Sequence, residues 1–164
     1  MRRARKHRAD SIAFAFEGDI EKQVSAFLTQ IKQEAVRPAA HAMAVVLYDE
    51  FKARVPVRMG VLQAAIYRWF DEAASDTDTK TYMVGVNKRK APHWWLVEHG
   101  HWRRYAIAYT PKKGWVTLKD QPLKTPVYVP GAPYLRPAID AKLQAAVQAG
   151  MNRLAEKIKE IQHG

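Results

Sequence analysis

His93 to His101 reads HWWLVEHGH, which sets three histidines, one glutamate and two tryptophans within nine residues. Imidazole and carboxylate are the ligands a divalent metal takes from a chain without cysteine, and this chain has none. His93, Glu98, His99 and His101 are therefore the first candidates for a metal-dependent hydrolase. Their spacing argues otherwise. A helical zinc motif places two histidines four apart with a glutamate beside the first, whereas Glu-His-Gly-His puts a glycine where the helix must continue. His99 and His101, two apart, share a face only on a strand, and the sequence specifies no third ligand. The stretch reads better as a structural clasp, with Trp94, Trp95 and Leu96 as packing residues. Glu98 is expected to accept hydrogen bonds from backbone amides or to pair with Arg58 or Arg136. No metal or other cofactor is expected.

Other chemistries leave no signature. There is no Gly-rich phosphate loop, no G-x-S-x-G elbow and no acidic cluster of the nuclease kind. The absence of cysteine removes thiolate nucleophiles, iron-sulfur clusters and disulfide frameworks. Asp76 and Asp78 stand close together, but in a Ser/Thr/Asp-rich loop where turn formation accounts for them. His41 reads as a partly buried structural histidine. The expectation is a protein that is not an enzyme.

Charge points to partners. Of the formal net charge of +11, Arg2, Arg3, Arg5, Lys6 and Arg8 supply +5. The stretch from Thr79 to Lys119 supplies +8, because Lys80, Lys88, Arg89, Lys90, Arg103, Arg104, Lys112, Lys113 and Lys119 face only Glu98. The rest of the chain is slightly acidic. Two basic zones suit a polyanion such as DNA, through counterion release, or an acidic protein partner. Trp94, Trp95, Trp102, Tyr105, Tyr109 and Trp115 interleave with Arg103, Arg104, Lys112 and Lys113. That pattern reads first as sheet core with snorkelling cations, and alternatively as stacking platforms for single-stranded nucleic acid.

These residues need a scaffold, and 164 residues suit one domain. Residues 1–18 form a basic N-terminal arm and 19–164 a single α+β domain. The arm lacks the apolar segment of a secretory signal, and no run approaches the ~18 apolar residues of a membrane span. Asp19 is placed to cap a helix in which Ile20, Val24, Phe27, Leu28, Ile31 and Ala35 form one stripe. Pro38 predicts a kink or a fresh start, and a second helical stretch covers 39–53. RVPVRMG, 54–60, predicts a reversal with Gly60 at positive φ. Strands are expected over 62–70, 81–87, 105–110, 114–119 and 126–129, with the acidic 71–79 as a connection. A long final helix presents Ile139, Leu143, Val147, Met151, Leu154, Ile158 and Ile161, with Pro137 in its first turn. The expected fold is a small antiparallel β-sheet packed against a long N-terminal helix, straight or kinked, and a long C-terminal helix.

Three islands in this frame resemble the tail-completion, or neck, proteins that join head to tail in tailed bacteriophages. VPVRMGVLQAAI, with Val55, Pro56, Gly60 and Leu62, resembles that family's "VP-x-x-T-G-x-L-x-x-S-I" segment. HWWLVEHGH, with Trp95, Val97, Glu98 and Gly100, resembles its "Y-x-x-x-V-E-x-G-T" signature. APYLRPAID, with Pro133, Leu135, Arg136, Pro137 and Ala138, resembles the start of its final helix. Order and spacing agree across roughly residues 20 to 160, while Met59, Ala65 and His101 depart from the family's usual residues. The resemblance implies a virion structural protein, assembled in the host cytoplasm, that forms a homo-oligomeric ring, usually a hexamer. Its implied partners are head connector proteins, the tail tube protein and the DNA passing through the ring, with no membrane involved. Lys88, Arg89, Lys90, Arg103, Arg104, Lys112 and Lys113 are then the residues expected to face DNA or an acidic partner ring. The alternative is a nucleic-acid-binding module that uses the basic and aromatic residues of 79–119.

Overall fold

Asp19 opens the first helix as its residue type requires, its Oδ1 accepting the Lys22 amide at 3.1 Å. The computed structural model describes residues 19–163; the basic arm, 1–18, lies outside the described residues. Helix α1 spans Ile20–Glu34 and helix α2 spans Val36–Arg54, so the two form one long element bent at Ala35. The bend falls three residues before Pro38, because a proline in the first turn of α2 gives up only an amide that has no partner there.

The apolar stripe of α1 is covered only in part, Phe27 and Ile31 half-buried and Ala35 at its end buried. No residue of α1 is buried, and Ile20, Val24 and Leu28 are each about half exposed. The final helix, α5 (Leu135–His163), departs from expectation in a related way. Ile139, Leu143, Val147 and Met151 face outward, and the buried residues are Ala138, Ala146 and Gly150, one position round the helix. Small side chains at four-residue spacing let α5 approach α2 closely. A methyl group added at Gly150 would lie 2.5 Å from Met43 Cγ and 3.3 Å from the Ala39 carbonyl oxygen.

Between the helices the chain makes two separate hairpins rather than one sheet. Gly60, at φ 73°, starts a single helical turn, α3 (Val61–Ala65), closed by the Ala64 amide on the Gly60 carbonyl at 2.8 Å. The strand expected from Leu62 therefore begins only at Ile66. Strand β1 (Ile66–Asp71) pairs antiparallel with β2 (Thr81–Val86), Ile66 opposite Val86 and Asp71 opposite Thr81. This hairpin packs on α2. Its turn is built as the aspartates suggest, with Asp76 Oδ1 accepting the Asp78 and Thr79 amides at 2.8 and 2.6 Å. Those bonds hold the Asp76 carboxyl below the ordinary carboxylate range.

HWWLVEHGH holds a short helix, α4 (Trp94–His99), where a turn was expected. After it, β3 (His101–Thr110) and β4 (Gly114–Val129) form a long ribbon with register shifts around Tyr105. The runs 114–119 and 126–129 are thus one strand. Pro122 and Pro126 are tolerated because a two-stranded ribbon has free edges on which a missing amide costs no ladder bond. The core gathers Phe51 and Val55 from the end of α2, Leu62, Ala65 and Ile66 after the reversal, Ala91, and Tyr134 with Ala138 at the start of α5.

Candidate functional site

Glu98 is the one buried charged side chain among the described residues, 7% exposed. Its Oε2 accepts the backbone amides of Tyr134 at 2.9 Å and Leu135 at 3.2 Å. Those are amides at the N-terminus of α5, which have no partner inside the helix, so a carboxylate from α4 caps a helix more than thirty residues later in the chain. Of the two partners expected for Glu98, the structure shows the amides. Neither Arg58 nor Arg136 pairs with it, and Arg136 is exposed on the first turn of α5.

Around this bond two backbones are pressed together. Gly100 ends α4 at φ 77°, and a Cβ there would lie 2.7 Å from the Gly131 nitrogen and from the Val129 carbonyl oxygen. A Cβ on Gly131 would lie 2.6 Å from the Gly100 nitrogen. The Ala132 amide donates to the Val97 carbonyl at 2.7 Å and completes the clasp. Tyr134 seals it: it is 1% exposed, and burial, then the nearby Glu98 charge, push its phenol up to about 12. Its hydroxyl is buried with no hydrogen-bond partner among the described residues. Tyr134 lies within the APYLRPAID island without a chemical signature of its own, and nothing in the sequence marks Gly131.

The three sequence islands meet here. Val55, Leu62 and Ala138 lie in the same buried cluster as Tyr134, with Val97 and Leu135 packed against it. Pro56 and Pro133 lie exposed at its edges, Gly60 caps the start of α3, and Pro137 sits inside the first turn of α5. The histidines disperse. His99 stacks on Trp95 at 3.7 Å between ring centroids, His101 begins β3 opposite Val129, and His93 faces a groove described below. Among the described residues no three His, Asp or Glu side chains come together as a metal site.

The basic residues fall into three places. Lys88, Arg89 and Lys90 are exposed in the turn after β2, where Asn87 Oδ1 accepts the Arg89 and Lys90 amides at 3.0 and 3.2 Å. Arg103 and Arg104 sit near the base of the ribbon; Arg104 is exposed, but Arg103 turns inward and its Nε is buried without a partner. Lys112 and Lys113 form the ribbon tip. That tip bends back toward the 56–61 loop, with the Arg58 guanidinium 5.1 Å from the Trp115 ring centre. The two enclose a groove of about 440 Å³ lined by Arg58, Met59, Leu62, His93, Val97, Lys113 and Trp115 among others, with no acidic side chain. None of these basic residues enters an ion pair among the described residues.

The ribbon aromatics are not a sheet core. Trp102 and Tyr109 are more than 60% exposed and Trp115 and Tyr128 half exposed, because among the described residues no third strand or helix lies over them. Comparison with protein families, with curated proteins and with solved structures returned no match. No helix among the described residues is long and apolar enough to cross a membrane. The arrangement offers a rigid clasp, an unpaired cationic groove and large uncovered apolar surfaces.

Proposed function

We propose that the chain is a structural subunit of a tail-completion or neck ring in a tailed bacteriophage, joining the tail tube to the head connector around the path of the DNA. The observation that carries this reading is the convergence of the three family-like islands on one clasp. Val55 and Leu62, Val97 and Glu98, and Leu135 and Ala138 are distant in sequence and meet around Tyr134. A ring subunit also needs two different contact surfaces, one for each neighbour. The partly uncovered stripes of α1 and α5 and the exposed ribbon supply candidates. In this reading the chain is not an enzyme, uses no cofactor, and works in the virion after assembly in the host cytoplasm. The test is the mass of the full-length protein freed of nucleic acid: a closed oligomer, six copies by the family resemblance, is expected, and a monomer at every concentration contradicts it.

A second reading is supported by the exposed Trp102, Tyr109, Trp115 and Tyr128 on a ribbon that also carries Arg104, Lys112 and Lys113. Those groups suit stacking and phosphate contacts of a nucleic-acid-binding module. That reading predicts salt-dependent affinity for DNA or RNA, with a log-log slope lowered by about one for each contacting Lys or Arg removed. No binding at low salt removes it.

A further inference from the structure

We propose that the cationic rim of the groove, formed by Arg58 and Lys113 with Lys112 next to Lys113 at the ribbon tip, receives the acidic β1–β2 turn of a second copy of the chain, head to tail. This inference rests on the ring reading and names the surfaces that make the ring contact. Arg58 is more than fifty residues from Lys113 in sequence, yet the bend of the ribbon tip toward the 56–61 loop sets these two cations on one groove. Among the described residues these like charges have no counter-charge, an unfavourable arrangement that makes the rim complementary to an anion. The same loop exposes Val57, Met59 and Val61, Met59 at 72%, so the complementary surface is acidic and apolar together.

The chain carries such a surface on its other side. Asp71, Glu72, Asp76 and Asp78 crowd the β1–β2 turn, where Lys80 is the one cation, and Lys32 of α1 already engages Asp78 at 2.7 Å. Beside the turn, the outer face of the hairpin exposes Tyr67 stacked on Trp69 at 4.7 Å, with Met83 opposite Trp69. The groove adjoins the opposite end of this hairpin, since Gly60 and Leu62 lead directly into Ile66. Six residues of strand at the usual rise separate the two ends by about 20 Å. One chain therefore presents the acidic turn and the cationic rim at opposite ends, which suits a heterologous contact repeated from copy to copy.

Charge exchange in the full-length chain tests this. One variant carries Lys112→Glu and Lys113→Glu; the other carries Glu72→Lys and Asp78→Lys. All four positions are exposed, and circular dichroism reports folding. Each variant alone should need at least about tenfold more protein to reach the parent's oligomeric mass, because like charges then face each other. An equimolar mixture of the two, or all four changes in one chain, should restore assembly. If the parent assembles and both variants assemble equally well, the rim-to-turn contact is wrong while the ring reading stands. If exchange weakens assembly but neither the mixture nor the fourfold variant restores it, the pairing of these two surfaces is also wrong. A parent that is monomeric throughout overturns both.

Discussion

Glu98 shows how much one carboxylate can fix. It is buried, its partners are two helix-terminal amides, and hydrogen bonds to a charged acceptor are stronger than neutral ones. Glu98→Gln should therefore lower unfolding free energy by about 2 kcal/mol, read by chemical denaturation, while the conservative change keeps the packing volume. An unchanged midpoint means the cap is not what holds α5 in place. Gly131→Ala should cost more, about 3 kcal/mol, because its Cβ would lie inside the Gly100 backbone with no flexible side chain to yield. Tyr134 sets an alkaline limit. Its folded pKa of about 12 exceeds the ordinary 10.0, so below pH 10 the phenol adds no pH dependence. Between those values the unfolded chain releases a proton that the folded chain keeps, and stability falls as pH rises, by at most about 1.4 kcal/mol per unit. Tyr134→Phe should remove that slope and change neutral-pH stability by less than about 1 kcal/mol, since the hydroxyl has no partner to lose among the described residues. Glu98 stood out in the sequence through the V-E-x-G resemblance, and as the one acid in a basic stretch. The Gly100–Gly131 contact was not, because close approach of two backbones leaves no periodic pattern.

The elements divide by how local their causes are. The bent pair α1–α2 and the long α5 follow from apolar periodicity and caps, which nearby residues decide. The face each helix buries is another matter. In α5 the large stripe Ile139, Leu143, Val147 and Met151 dominates the pattern, yet the small stripe Ala138, Ala146 and Gly150 meets α2, since only small residues allow that approach. Gly150→Leu should therefore separate α2 from α5 and destabilise the fold by several kcal/mol on the order of other overpacked cores, about 3 kcal/mol, whereas Leu143→Ala should cost under about 1 kcal/mol. Equal losses for the two in thermal unfolding contradict that packing. The strands were legible as β-type runs but their partners were not. Five short runs suggested one sheet, and what lies between the two hairpins is the α4 clasp, held by Glu98 and Val97 to residues 132–135 far along the chain. The ribbon also stays continuous through Pro122 and Pro126, where the sequence pattern showed two separate strands, 114–119 and 126–129.

At the scale of the whole molecule the exposed surface is the informative part. A chain that leaves Ile20, Val24 and Leu28 of α1, Leu143 and Met151 of α5, and the ribbon aromatics uncovered has apolar surface to bury against something else. In the proposed ring that is the neighbouring subunit. Leu143→Lys with Met151→Lys should then leave monomer stability within about 0.5 kcal/mol and impair assembly. Sequence periodicity revealed these stripes but assigned them to the core, because a one-dimensional pattern does not distinguish an intramolecular neighbour from a second copy. The most direct test of the central claim is native mass measurement of the full-length protein after nucleic acid is removed. The account predicts a discrete closed oligomer, six copies by the family resemblance, that persists without DNA. A protein that stays monomeric at all concentrations, and neither assembles on tail tubes nor joins purified heads to tails, contradicts it.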